Sequence, residues 1–172
     1  MDTILSQKIF SLLCKRAGEN LSQREIALKL KVSPTAVSKS IKRLQNQDIV
    51  NISVTKTINF ISLSNNQKTL QLKMIENIKI FYISGLAEFL SEKLAGSTII
   101  LFGSYLRGED TINSDIDIAV IGRKPKNLQL KKFEEEILRK ININFYPSWK
   151  DIHKNLKNNI LNGLVIHGSV RL

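Results

Sequence analysis

Along the first quarter of the chain apolar residues recur at steps of three and four, the period of a helix with one buried face. The first such stretch covers roughly Thr3 to Arg16 and stops at Ala17-Gly18. A second opens on Ser22-Gln23-Arg24-Glu25, a capping box in which the Ser22 hydroxyl meets a free helix-end amide and Glu25 reaches back. Its inner face is Ile26, Ala27 and Leu30. After Lys31-Val32, Ser33 suits an N-cap and Pro34 the first helical position. The third helix runs from Pro34 to about Gln47, with Val37, Ile41 and Leu44 as one buried stripe.

The period then changes to two. Val50 to Thr55 alternates apolar and polar residues, and Ile58 to Ser64 repeats the pattern with one slip at Phe60-Ile61. Lys56 and Thr57 lie between, so the two runs predict a β-hairpin. Helical spacing returns from Gln67 to Ala95, through Leu70, Met74, Ile78, Phe81, Leu86, Phe89, Leu90 and Leu94, with Gly85 as its weak point. Leu72, Ile75, Ile80 and Ile83 widen that stripe beyond one face, which predicts burial against two partners. A dimer through this helix would suit a protein that reads two half-sites. Thr98 to Phe102 is a buried strand, Leu128 to Lys140 a helix with Leu130, Phe133 and Ile137 inward, and Ile141 to Phe145 a further strand.

Two helices joined by a tight turn and followed by a hairpin resemble the winged-helix DNA-binding domains of prokaryotic regulators. The expected organisation is a winged helix-turn-helix over 1–65, a connecting helix over 66–96 and a third region over 97–172. With Val37, Ile41 and Leu44 inward, the opposite face presents Thr35, Ser38, Lys39, Lys42 and Arg43. Thr35, Ser38 and Lys39 are candidates for base contact in double-stranded DNA, and Lys42, Arg43 and the wing's Lys56 for phosphate contact. A solvated helix face is the plain alternative.

The 172 residues are 42% hydrophobic and 24% charged, which excludes wholesale disorder and permits a core. Lys and Arg number 26 against 15 Asp and Glu, a formal +11, of which +6 falls in residues 1–65. A field of that sign attracts nucleic acid, anionic membrane or phosphate ligands without choosing among them. No apolar run has the length of a membrane span, and Met1-Asp2-Thr3-Ile4 lacks the start of a signal peptide. The single cysteine, Cys14, lies in an apolar helical stretch and reads as a buried thiol. These features together predict a cytoplasmic protein.

The chemistry is concentrated after the Thr98–Phe102 strand. Gly103-Ser104 is followed by Tyr105-Leu106-Arg107-Gly108 and, five residues later, by a run from Ser114-Asp115-Ile116-Asp117 to Ile121. In a strand Asp115 and Asp117 would share one face while Ile116 and Ile118 enter the core. Paired carboxylates suit Mg²⁺, which commonly bridges protein oxygens to nucleotide phosphates. The free amides of a Gly-Ser turn opening a helix suit a triphosphate.

The pattern G-S-x-x-R-G-x5-S-D-x-D resembles the nucleotidyltransferase superfamily that includes DNA polymerase β, most closely its minimal prokaryotic members. The resemblance implies an α+β chain, in which the winged helix of three helices and a hairpin precedes a small nucleotidyltransferase α/β domain with a mixed sheet. It implies transfer of a nucleoside monophosphate from an NTP, ATP in the first instance, with two Mg²⁺ ions. Gly103 and Ser104 become phosphate contacts, and Asp115 and Asp117 metal ligands and catalytic residues. Arg107 and Ser114 also match; bracing the loop is the first reading of them and phosphate contact the second.

Active members carry a third carboxylate on a later strand. Here that strand offers Asn142 and Asn144. An amide oxygen at Asn142 can ligate Mg²⁺ weakly, but it has no charge and cannot act as a base. Glu134-Glu135-Glu136 read as a solvated surface, Asp151 as a weak substitute, and His153 and His167 as ordinary surface or packing residues. Three functions compete: a Mg²⁺-dependent transferase brought to DNA, a transcription regulator whose degenerate domain senses nucleotide, and an antitoxin-type protein acting on a helical toxin partner.

Overall fold

The computed structural model describes residues 3–55 and 58–171. The chain divides into two compact units, Met1–Lys73 and Met74–Leu172.

In the first unit, helix α1 (Ile4–Lys15) is capped by Thr3, whose hydroxyl accepts from the Ser6 amide at 3.2 Å. Strand β1 (Leu21–Ser22) leads into α2 (Gln23–Leu30). The capping box forms in both directions: Ser22 N–H donates to Glu25 Oε2 at 2.7 Å and Glu25 N–H to Ser22 Oγ at 3.2 Å. Lys31 ends α2 in the left-handed region at φ 53°, and the Val32 amide returns to the Ala27 carbonyl. That turn aims the chain into α3 (Pro34–Asn46), whose N-cap Ser33 accepts from the Ala36 amide. Val37, Ile41 and Leu44 are fully buried, as their spacing predicts.

Strands β2 (Val50–Val54) and β3 (Asn59–Leu63) form the wing, and β1 adds to it in the order β1-β3-β2, all antiparallel. The slip at Phe60-Ile61 resolves in favour of Ile61, which is fully buried opposite Ile52 while Phe60 is half-buried. Helices and wing close on one core containing Phe10, Leu13, Ile26, Val37, Ile41 and Ile61.

Helix α4 (Gln67–Ile83) carries the chain into the second unit. The single helix expected over Gln67–Ala95 is in fact two. Gly85 adopts φ 76°, a left-handed conformation incompatible with continued helix, and α5 (Leu86–Lys93) starts after it. There follow β4 (Thr98–Phe102), α6 (Gly103–Arg107), β5 (Ile116–Ile121), α7 (Lys131–Ile137), β6 (Ile141–Tyr146), a 3-10 turn at Trp149–Asp151, α8 (Lys154–Leu161) and β7 (Leu164–His167). The mixed sheet has the order β6-β5-β4-β7; β5 and β6 run parallel and β4 is antiparallel to both its neighbours.

Strand alternation divides the unit's apolar residues into two layers. Ile99 and Leu101 of β4 with Ile116, Ile118 and Val120 of β5 pack against Phe81, Leu86, Leu90 and Phe133. Ile100 and Phe102 with Ala119 and Ile121 pack on the other side against Trp149 and Ile160. Asp117 shares this second face with Ala119 and Ile121. Among the described residues no helix is long and apolar enough to cross a membrane.

Candidate functional site

The carboxylate site lies where β4 ends and β5 begins. Asp117 is the second residue of β5, opposite Phe102 on β4 and Asn142 on β6. The alternation that buries Ile116 and Ile118 turns the Asp117 side chain to the face where α6 starts. Asp115 does not lie on the strand as expected: β5 begins only at Ile116, and Asp115 is an exposed residue of the preceding loop. The reason is register, since the parallel partner β6 starts at Ile141, opposite Ile116.

Gly103 makes this arrangement sterically feasible. Its φ is 83°, and a Cβ there would lie 2.5 Å from Asp117 Oδ2. The turn therefore presses backbone against the carboxylate, which only glycine permits. Ser104 follows, half-buried, on the first turn of α6. Arg107 pairs with Glu109 at 2.7 Å, and the Ser114 hydroxyl accepts from the Thr111 amide at 2.9 Å. Both contacts are local ones within the loop that links α6 to Asp115, and the Arg107–Glu109 pair is exposed.

Asn142 stands where the third carboxylate is expected. Its Nδ2 donates to Asp117 Oδ1 at 3.2 Å. Asn144 is two residues further along β6, opposite Ala119. Burial pushes the Asp117 carboxyl above its ordinary value; the Asn142 hydrogen bond opposes this, neighbouring Asp115 adds to it, and the Arg107 guanidinium opposes it. Asp115 and Asp117 have no third acidic, histidine or cysteine companion that would complete a metal cluster among the described residues. Two carboxylates are the donor type that Mg²⁺ takes, usually with few ligands from protein, whereas the Asn142 amide presents its nitrogen to Asp117.

A buried polar assembly lies beneath the motif, and the sequence does not foreshadow it. Asp110, within the motif's five-residue spacer, receives Arg139 Nη2 at 2.8 Å and Nε at 3.1 Å, and both side chains are essentially inaccessible. Asn77 Nδ2 donates to the other Asp110 oxygen at 2.7 Å and to the Tyr105 carbonyl at 2.8 Å, while the Tyr105 hydroxyl donates to the Asn77 carbonyl. The assembly joins α4, α6, the motif loop and the approach to β6. Glu134 departs from the solvated reading: its Oε1 accepts from the Ile141 amide at 2.9 Å and so caps the start of β6.

A cleft of about 380 Å³ next to Gly103 is lined by Leu106, Arg107, Asn159 and Asn162 as well. A larger one, about 570 Å³, opens at the opposite end of the sheet near Gly122, Trp149 and His167, away from Asp115 and Asp117.

On the winged helix, Thr35, Lys39, Lys42 and Arg43 are exposed on α3 and Ser38 is half-buried. Lys56 lies outside the described residues.

Residues 83–167 match the nucleotidyltransferase domain model, and residues 3–51 match the winged helix-turn-helix DNA-binding model. No curated protein matches the sequence. Solved structures similar to part of the chain include a single-site mutant of Lactococcus lactis ZitR, at 26% identity and TM-score 0.42, covering 53% of this chain and 61% of that one. Reduced HlyU from Vibrio cholerae is 21% identical with TM-score 0.37, covering 41% of this chain and 75% of that one. The heme sensor protein PefR from Streptococcus agalactiae, in complex with heme, is 21% identical with TM-score 0.37, covering 55% of this chain and 60% of that one. The chain thus carries a winged helix-turn-helix DNA-binding domain in residues 3–51 and a nucleotidyltransferase domain in residues 83–167.

Proposed function

We propose that the second unit binds an NTP with Mg²⁺ and transfers its nucleoside monophosphate to an acceptor hydroxyl, breaking the bond between the α- and β-phosphates and releasing pyrophosphate, and that the winged helix brings this unit to double-stranded DNA. The observation that carries the reading is the contact of Gly103 with Asp117: a backbone turn suited to phosphate lies directly against a carboxylate suited to metal. Asp115 and Asp117 are the residues that would hold Mg²⁺, with the Asn142 oxygen as a weak third ligand. When bound, the ion neutralises phosphate charge and activates the acceptor. Gly103 and Ser104 supply amide and hydroxyl donors to the triphosphate. Arg107 and Ser114 keep the loop, and hence Asp115, in place. Thr35, Ser38 and Lys39 would meet base edges, and Lys42, Arg43 and Lys56 phosphates.

A second reading has its own observation. Asn142, which donates to Asp117, has no basic group to accept the acceptor's proton. That favours a domain that holds nucleotide without rapid turnover, in a transcription regulator or an antitoxin-type protein with a helical toxin partner. Incubation with labelled ATP, CTP, GTP and UTP, Mg²⁺ and a cell extract separates the two, alongside an Asp115→Ala, Asp117→Ala variant. Label transfer that requires both aspartates supports the transferase. Nucleotide binding without transfer supports the sensor, and absence of binding removes both.

A further inference from the structure

We propose that Asn159 and Asn162, at the C-terminal end of α8, hold the nucleoside part of the nucleotide. The assignment rests on the nucleotide-binding reading above and adds to it the side of the site from which base and sugar are recognised.

Three observations converge on it. Asp117 belongs to the sheet face formed by Ile100, Phe102, Ala119 and Ile121, and that face is covered by α8 through the fully buried Ile160. Asn159 and Asn162 flank Ile160 in sequence and are themselves exposed. Next, the chain leaving α8 is pressed onto the strand that ends in the phosphate turn. A Cβ on Gly163 would lie 2.6 Å from both the Leu101 carbonyl oxygen and Ile100 Cγ2, and Leu164 pairs with Leu101. The bare glycine fixes Asn162 close to the β4–α6 junction. Finally, Asn159 and Asn162 line the cleft of about 380 Å³ whose other walls are Gly103, Leu106 and Arg107. Gly103 is thus shared: it lies against Asp117 and also lines this cleft.

The side-chain chemistry selects the ligand class. Phosphate oxygens are held by cations and by N–H donors. A carboxamide also has N–H donors, but it carries no charge and adds an acceptor, and that combination matches a nucleobase edge or sugar hydroxyls. Two such groups beside the half-buried Leu106, which offers apolar surface to a ring, make a site for an uncharged polar heterocycle and its sugar. The cleft volume falls within the roughly 300–1,000 Å³ of small-molecule sites. With phosphates at Gly103 and Ser104, the nucleoside extends along the cleft towards α8.

The test compares Mg-ATP with Mg-tripolyphosphate by titration calorimetry on the full chain, for the unaltered protein and for the Asn159→Ala, Asn162→Ala double variant. Both positions are exposed, and a thermal melt confirms that the variant is folded. We expect the double variant to bind ATP about tenfold or more weakly and tripolyphosphate unchanged. An unaltered ATP affinity, or an equal loss for both ligands, overturns the assignment and leaves the nucleotide reading standing. If the unaltered protein binds neither ligand, both fall.

Discussion

Gly103 and Asp117 are in such close approach that a methyl group on the glycine would sit 2.5 Å from the aspartate's Oδ2. Positive φ and steric proximity both demand glycine here, so Gly103→Ala carries two penalties at once. We expect it to lower stability by about 1–3 kcal/mol. It should also weaken Mg-ATP binding by displacing either the turn or the carboxylate. Urea denaturation and nucleotide titration measure the two effects, and a variant with unaltered ATP affinity would show that the turn does not contact phosphate.

The Asp117 charge comes at a cost to the fold. Burial raises its carboxyl above the ordinary 3.8. A raised folded-state value means the neutral form is favoured by folding. The associated stability is full below 3.8 and disappears as pH climbs through the folded value. Asp117→Asn removes that dependence while keeping an oxygen for the Asn142 amide to donate to. Its melting temperature should match the parent near pH 3.5 and exceed it at pH 7, with Mg-dependent ATP binding abolished. A variant that melts below the parent at pH 7 would contradict the burial argument.

The Asp110–Arg139 pair tests a different kind of interaction. Arg139→Met takes both guanidinium hydrogen bonds from the buried Asp110 carboxylate, and breaking a buried ion pair typically costs about 3–5 kcal/mol. We expect cooperative unfolding at much lower urea. Because Asp110 lies in the loop leading to Asp115, Mg-ATP affinity measured below the unfolding transition should fall as well. A loss of stability below about 1 kcal/mol would mean the pair is not desolvated in solution.

How much of this was legible in the sequence depends on the range of the signal. The Ser22–Glu25 box, the Ser33-Pro34 cap and the Val37/Ile41/Leu44 stripe are local, and all three form as their spacing predicts. The two-residue strand β1 is too short to show a period. Helix α8 carries few apolar positions among lysines and asparagines, so its covering role leaves little periodic trace, and β7 has only four residues. The Asp110–Arg139 contact joins residues 29 apart, and nothing in either neighbourhood announces it. Gly85 was visible as a weak point, but whether a helix tolerates a glycine or breaks there is decided by its φ. The offset that places Asn142, and not Asn144, beside Asp117 is likewise a property of parallel register.

DNA contact by α3 is an electrostatic claim with a measurable slope. Each phosphate interaction removed should flatten the dependence of log affinity on log salt by about 0.9. We expect Lys42→Ala and Arg43→Ala each to do this on any duplex. Lys39→Ala should instead lower discrimination between the preferred site and random sequence. Fluorescence anisotropy at several salt concentrations reads both, and parallel slopes for all variants would remove α3 from the interface.

Asn142→Asp addresses the competing functions directly. The new carboxylate would stand within hydrogen-bonding reach of Asp117, where the amide now donates. Without metal, Asp115, Asp117 and the added charge would repel one another, and the melting temperature should fall. Mg²⁺ should restore it, by a larger increment than in the parent, because three charges now favour the cation. If nucleotidyl transfer is limited by the missing base, the same change should raise its rate by roughly 10²-fold or more, the usual scale for a positioned general base. Gain of metal affinity with gain of rate places the parent among slowed transferases. Gain of metal affinity with no transfer to any acceptor in the extract places it among nucleotide sensors, since charge and base would then both be present without a reaction to serve.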